Sequence, residues 1–140
     1  MSKRLERLTT RRLSMAAMRS DRLVNERLAD AGTRKWHYAV LAALDEEGPA
    51  SQAELSRRTG IFGSDLVAVL NELTGHQFVE RSPDPTDRRR NVVTLTATGR
   101  RKLTRLDLLL ERVQDEVFDP LTPTEREQLS ALLAKLTETS

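Results

Sequence analysis

The chain has 140 residues, 38% of them hydrophobic, 31% charged and only 4% aromatic, with a net charge of +2. That is one domain's worth of chain, whose core must be built from Leu, Val and Ala. With no Cys and two His, His37 and His76, it excludes disulfide frameworks, thiol nucleophiles, thiol redox switches and His-rich metal sites.

Residues 5–30 read as a helix. Leu5, Leu8, Arg12, Met15, Met18, Leu23 and Leu28 recur at irregular helical spacing, with no Pro and no Gly before Gly32. A second helix is expected over 34–46, with Val40, Leu41 and Leu44 as its stripe and Gly48-Pro49 as its stop. Ser51-Gln52-Ala53-Glu54 reads as a capping box. Its Ser51 hydroxyl accepts from the N–H three residues on, and its Glu54 carboxylate reaches back to the Ser51 N–H. A short helix follows from Gln52 to about Arg58, ended by Thr59-Gly60 with Gly60 suited to the left-handed position.

After the tight connection Ile61-Phe62-Gly63, a helix from about Ser64 to Gly75 buries Leu66, Val69, Leu70 and Leu73 at i, i+3, i+4, i+7. Phe78-Val79-Glu80-Arg81 and Val92-Val93-Thr94-Leu95 alternate as strands around the turn cluster Pro83-Asp84-Pro85-Thr86-Asp87, with Arg88-Arg89-Arg90 just past the tip. Thr96 suits the N-cap of a long helix over 97–118, carrying Leu103, Leu106, Leu110, Val113 and Val117 and broken by Asp119-Pro120. Thr122-Pro123-Thr124-Glu125 is a second capping box. It opens a last helix with Leu129, Leu132, Leu133 and Leu136.

Charge along the chain is blocky. Residues 1–35 carry ten basic and four acidic side chains, 36–80 two and seven, 81–105 eight and two, and 106–140 three and eight. Two basic blocks in a near-neutral chain suit a polyanion partner, and equally suit solvated basic helix faces. The order of elements, with the triple-arginine tip, favours the polyanion over an ordinary helical hairpin with solvated faces. Helix, short helix, tight turn, helix and hairpin make a winged helix-turn-helix, whose second helix enters the major groove of double-stranded DNA. No apolar run approaches the roughly 20 residues of a membrane span, and the charged N-terminus is no secretory signal. A cytoplasmic protein with no membrane association and no cofactor is expected.

The run Asp84-Pro85-Thr86-Asp87-Arg88-Arg89-Arg90-Asn91-Val92-Val93-Thr94-Leu95-Thr96-Ala97-Thr98-Gly99-Arg100 resembles the wing signature of the MarR (multiple antibiotic resistance regulator) family. Gln52-Ala53-Glu54-Leu55-Ser56-Arg57-Arg58-Thr59-Gly60 is similar to that family's helix before the recognition helix. The resemblance covers the whole chain. It implies a mostly α fold with a small β-hairpin wing: a DNA-binding lobe over 35–99, flanked by dimerisation helices over 1–34 and 100–140. It implies a homodimeric bacterial regulator, usually a repressor, on a pseudo-palindromic operator. At the wing tip, Asp87 and Arg89 stand where the family's Asp-x-Arg pair holds a minor-groove arginine. A narrow minor groove favours such an Arg through its negative potential.

Arg88, Arg90, Arg57 and Arg58 are expected on phosphates, and Gln52 at the same surface. The chain departs from the family in having no Lys or Arg between Arg58 and Arg81. Base reading then falls to Ser64, Asn71 toward adenine, and Val67 or Ala68 toward thymine methyls. Asp65 can accept from cytosine or sit at the helix N-terminus, where the dipole favours it. Gln77 replaces a Gly common before the wing strand.

Many relatives answer small aromatic anions. Arg19, Arg22, Trp36, His37 and Tyr38 are the candidate ligand residues, with core or surface roles as the alternative. A winged-helix interaction module, or a regulator without a small-molecule signal, is the competing function. No nucleophile stands with a base and no Gly-rich loop cradles a phosphate, so no enzyme is expected.

Overall fold

The computed structural model describes residues 2–138. In chain order the elements are α1 Lys3–Glu6, α2 Thr9–Asp30, α3 Lys35–Glu47, β1 Ala50–Ser51, α4 Gln52–Thr59, α5 Gly63–Gly75, β2 Val79–Pro83, β3 Asn91–Leu95, α6 Ala97–Val117 and α7 Pro123–Thr137. Two compact units form. One joins the chain up to Val24 with the chain from Leu110 on, and the other is Asn25–Leu109. Both divisions fall inside long helices, α2 and α6.

The first helix expected from sequence is interrupted. Leu8 leaves the helix, and its carbonyl accepts from the Arg11 and Arg12 N–H groups. Two successive β-branched threonines, poor helix-interior residues, then restart the chain as α2. The expected apolar stripe is not covered either. Within α2 only Leu28 is buried, while Leu13, Met15 and Met18 are exposed. In α7 no residue is buried, and Leu132 and Leu136 are 59% and 63% exposed. The Thr122 capping box is complete: Thr122 Oγ accepts from the Glu125 N–H, and the Thr122 N–H donates to the Glu125 carboxylate at 2.9 Å.

The unit Asn25–Leu109 carries most of the core. Leu28, Val40, Leu41, Leu55, Leu66, Val69, Leu70, Leu73, Val79, Val93 and Leu106 are all at most 2% exposed. Each such side chain contributes about 1.5–3 kcal/mol. The predicted i, i+3, i+4, i+7 stripe of α5 is the buried one. Its sheet runs β1-β3-β2, antiparallel throughout, with Ala50 opposite Val93 and Arg81 opposite Val93 from the other side. The two-residue β1 was not foreseen. It changes the first capping box: Ser51 Oγ accepts from the Glu54 N–H at 3.2 Å, as expected. The Glu54 carboxylate meets the Ser51 hydroxyl at 3.1 Å instead of the backbone N–H, because Ser51 is also a strand residue paired with Val92.

A candidate nucleic-acid interface

The α4–α5 turn is tight because Thr59 and Gly60 close it. The Thr59 hydroxyl donates to Leu55 O at 2.7 Å and accepts from the Ile61 N–H. Gly60 takes the left-handed conformation at φ 75°. Helix α5 starts without a side-chain cap at Phe62. Its outer positions Ser64, Asp65, Val67, Ala68 and Asn71 are all exposed. Asp65 lies in the first turn, where the helix dipole favours a carboxylate.

Gln52 and Arg57 are exposed on α4. Arg58 is engaged on every side-chain nitrogen. It reaches Gly48 O at 2.9 Å, the Glu47 carboxylate at 2.9 Å and the Glu54 carboxylate at 3.5 Å. Only 17% of its side chain is exposed, so it fastens α4 to the end of α3. Asn71 is also occupied, its Oδ1 accepting from Arg81 Nη2 at 2.9 Å. Arg81 thereby puts a guanidinium beside a helix that carries no cation of its own.

The wing tip is an organised loop. The Asp84 N–H donates to Arg90 O at 2.8 Å, and the Arg90 N–H to Asp87 O at 3.0 Å. The Thr86 N–H and hydroxyl both donate to the Asp84 carboxylate at 2.8 Å. Those bonds hold the Asp84 carboxyl below the usual carboxylate range. Asp87 Oδ1 accepts from the Arg89 N–H at 3.1 Å and from Arg89 Nε at 3.2 Å. The Arg89 side chain is otherwise 91% exposed. Arg88 is exposed as well, while Arg90 faces Glu54 of α4 at 3.6 Å, bridging wing and helix-turn-helix.

The candidate ligand residues have separate places. Arg19 Nη1 donates to Val117 O at 3.1 Å, and Arg22 is exposed on the same helix. His37 is buried, 2.5 Å from the Glu72 carboxylate of α5. Glu72 also takes a two-pronged contact from Arg34 Nη2 at 2.9 and 3.0 Å. Hydrogen bonds from His37 and then Arg34 lower the Glu72 pKa. The Tyr38 hydroxyl donates to Asp107 at 2.6 Å. Trp36 is the most open of the three ring residues, 44% exposed, in a groove of about 440 Å³ with Asn25, Ala29, Thr33, Arg34 and Lys35, while Tyr38 is half-buried. Sequence reasoning missed Arg34, Glu72 and Arg81, whose partners lie ten or more residues away in the chain. It also missed exposed Phe62.

Among the described residues, no group of His or acidic side chains could hold a metal ion, and no helix is long and apolar enough to cross a membrane.

Comparison with known proteins places the fold. The sequence profile of the MarR family matches residues 31–90. The HTH-type transcriptional repressor NicR of Pseudomonas putida is 28% identical over 124 residues, 89% of this chain and 78% of that protein. The transcriptional repressor CouR, solved bound to a 23-mer DNA duplex, superposes with a TM-score of 0.83 at 28% identity, covering 96% of each chain. BpsR of Bordetella bronchiseptica, studied for regulation of its DNA binding by 6-hydroxynicotinic acid, gives 0.79 at 26%, again covering 96% of each. The chain belongs to the MarR family of transcriptional regulators.

Proposed function

We propose that the protein is a homodimeric, sequence-specific repressor that reads a pseudo-palindromic operator with α5 in the major groove and the wing in the flanking minor groove. The observation that carries this reading is the pair at the wing tip: Arg89 is 91% exposed yet anchored by Asp87. An anchored Arg loses less side-chain entropy on entering a groove than a free one. Arg88, Arg57 and Gln52 take phosphates, Arg90 supports them, and Arg58 positions α4. Ser64, Val67, Ala68 and Asn71 face base edges, and Asp65 serves the helix N-terminus.

The dimer reading is supported by apolar surface left open in the unit formed by the chain ends. Leu13, Met15, Met18, Leu132 and Leu136 are exposed there, and Leu13 lines an apolar groove of about 470 Å³ with Leu129 and Leu133. Such apolar surface marks an association face, and the family resemblance supplies a second copy as its occupant.

An aromatic anion is the effector class that fits the Trp36 groove, since an indole face stands beside Arg34 and Lys35. The effector named for BpsR has that chemistry. A carboxylate bound there competes with Glu72 for Arg34 and so acts on α5, favouring a state that fits DNA less well.

A gel shift on the DNA upstream of the protein's own gene, run across a salt series, tests the function. Tight, competitor-resistant binding that falls steeply with salt is expected. Binding that is abolished by competitor DNA and flat in salt refutes sequence-specific reading and favours an interaction module.

A further inference from the structure

Phe62 is the most exposed aromatic side chain in the DNA-facing half of the fold, at 64%. Its neighbour Ile61 is 5% exposed. The backbone at Phe62 is extended, φ −123° and ψ 162°. Extended backbone sends successive side chains to opposite sides, so Ile61 fills the core and Phe62 turns outward. The core does not need the phenyl ring: Leu66, Val69, Leu70 and Leu73 already fill the inner face of α5. Next to Phe62, Gly63 adds no side chain, and a Cβ built there meets nothing within 4 Å. One turn into the helix, Val67 is 40% exposed. Between Phe62 and Glu72 the only ionisable side chains are Asp65 and Glu72, and no cation is present.

This surface is poorly suited to phosphates and well suited to an apolar edge. In the major groove the apolar edge is the thymine C5-methyl group. Cations come to the helix-turn-helix from the wing instead: Arg81 pairs with Asn71 of α5, and Arg90 with Glu54 of α4. Phosphate affinity and base reading are thereby divided between two elements.

Resting on the DNA-binding reading above, we infer that Phe62 and Val67 are specificity-determining residues that read thymine methyl groups in each half-site. Polar pairing to base edges is then secondary.

The test starts with selection of bound duplexes from a random DNA pool. Thymines of the recovered consensus are then replaced one at a time by deoxyuridine, which removes only the methyl group. The wild-type protein loses about three- to fivefold in affinity at one or more thymines of each half-site. Phe62→Ala and Val67→Ser bind the thymine and uracil duplexes equally at the thymine each residue contacts. Both positions are exposed, and unchanged thermal melts of the two variants confirm that they fold. A wild-type protein that selects a consensus but is indifferent to uracil overturns this inference and leaves the repressor reading standing. So do variants that keep the full uracil sensitivity. A pool that yields no consensus overturns both readings together.

Discussion

Gln77 holds the left-handed backbone conformation, φ 62°, and its carbonyl accepts a 2.6 Å hydrogen bond from the Thr96 hydroxyl. The same hydroxyl accepts from the Gly99 N–H at 2.9 Å. Thr96 thus ties the turn before β2 to the first turn of α6, and the wing is hung from that tie. A residue with a Cβ is strained at this φ, by roughly 1–2 kcal/mol. Gln77→Gly should therefore stabilise the protein, by about 1 kcal/mol after the greater chain entropy of glycine is counted. Urea denaturation checks this, as a higher midpoint with an unchanged slope. A lower midpoint would mean that the Gln side chain makes a contact worth more than the strain.

Gly99 has the opposite constraint. A Cβ there would sit 2.0 Å from Phe78 O and 2.8 Å from the Leu95 side chain. Backbone cannot yield as a side-chain tip does. Gly99→Ala should cost about 3 kcal/mol by overpacking and displace α6 from the wing base. The same urea experiment reads it, and a loss below about 1 kcal/mol would show that the approach relaxes freely.

The chain has one tyrosine, so its titration is directly visible. The hydrogen bond to Asp107, with burial and the Asp107 charge behind it, pushes the Tyr38 pKa up to about 12. Ultraviolet difference absorbance should give a midpoint near that value, and Asp107→Ala should bring it back toward the ordinary value of 10.0. A raised acid pKa means that the folded state holds its proton longer. The associated stability is full below pH 10 and is lost as pH rises through about 12. An ordinary midpoint in the native protein would remove the Tyr38–Asp107 bond from the account.

The single tryptophan offers the matching test of the effector groove. Titration with small phenolic acids should find one that quenches Trp36 fluorescence and releases bound DNA. Trp36→Ala should still bind DNA but no longer release it. Release that is unaffected by Trp36→Ala would place any effector elsewhere.

Local patterns carried most of the fold. Leu66, Val69, Leu70 and Leu73 announce α5 by their period, and Ser51, Gly60 and Thr122 mark helix ends by chemistry acting over three or four residues. What stayed hidden depends on distant partners. Ala50-Ser51 is a strand only because Val92 and Val93 lie opposite. Arg58 looks like a free surface cation until Glu47, Glu54 and Gly48 O surround it. Phe62 sits in an apolar tripeptide whose inward and outward members only the extended backbone separates. The pairing of Glu72 with His37 and Arg34 joins residues more than thirty positions apart, and no local spacing encodes it.

One comparison tests whether the wing docks DNA through an arginine held ready by its neighbour. Wild-type protein and Arg89→Ala are titrated against the same upstream duplex across a salt series, with mass measured in solution alongside. Arg89→Ala should bind more weakly, with a salt slope reduced by about two, one for each wing of the dimer, and an unchanged oligomer. Equal affinity and equal slope for the two proteins would contradict this docking.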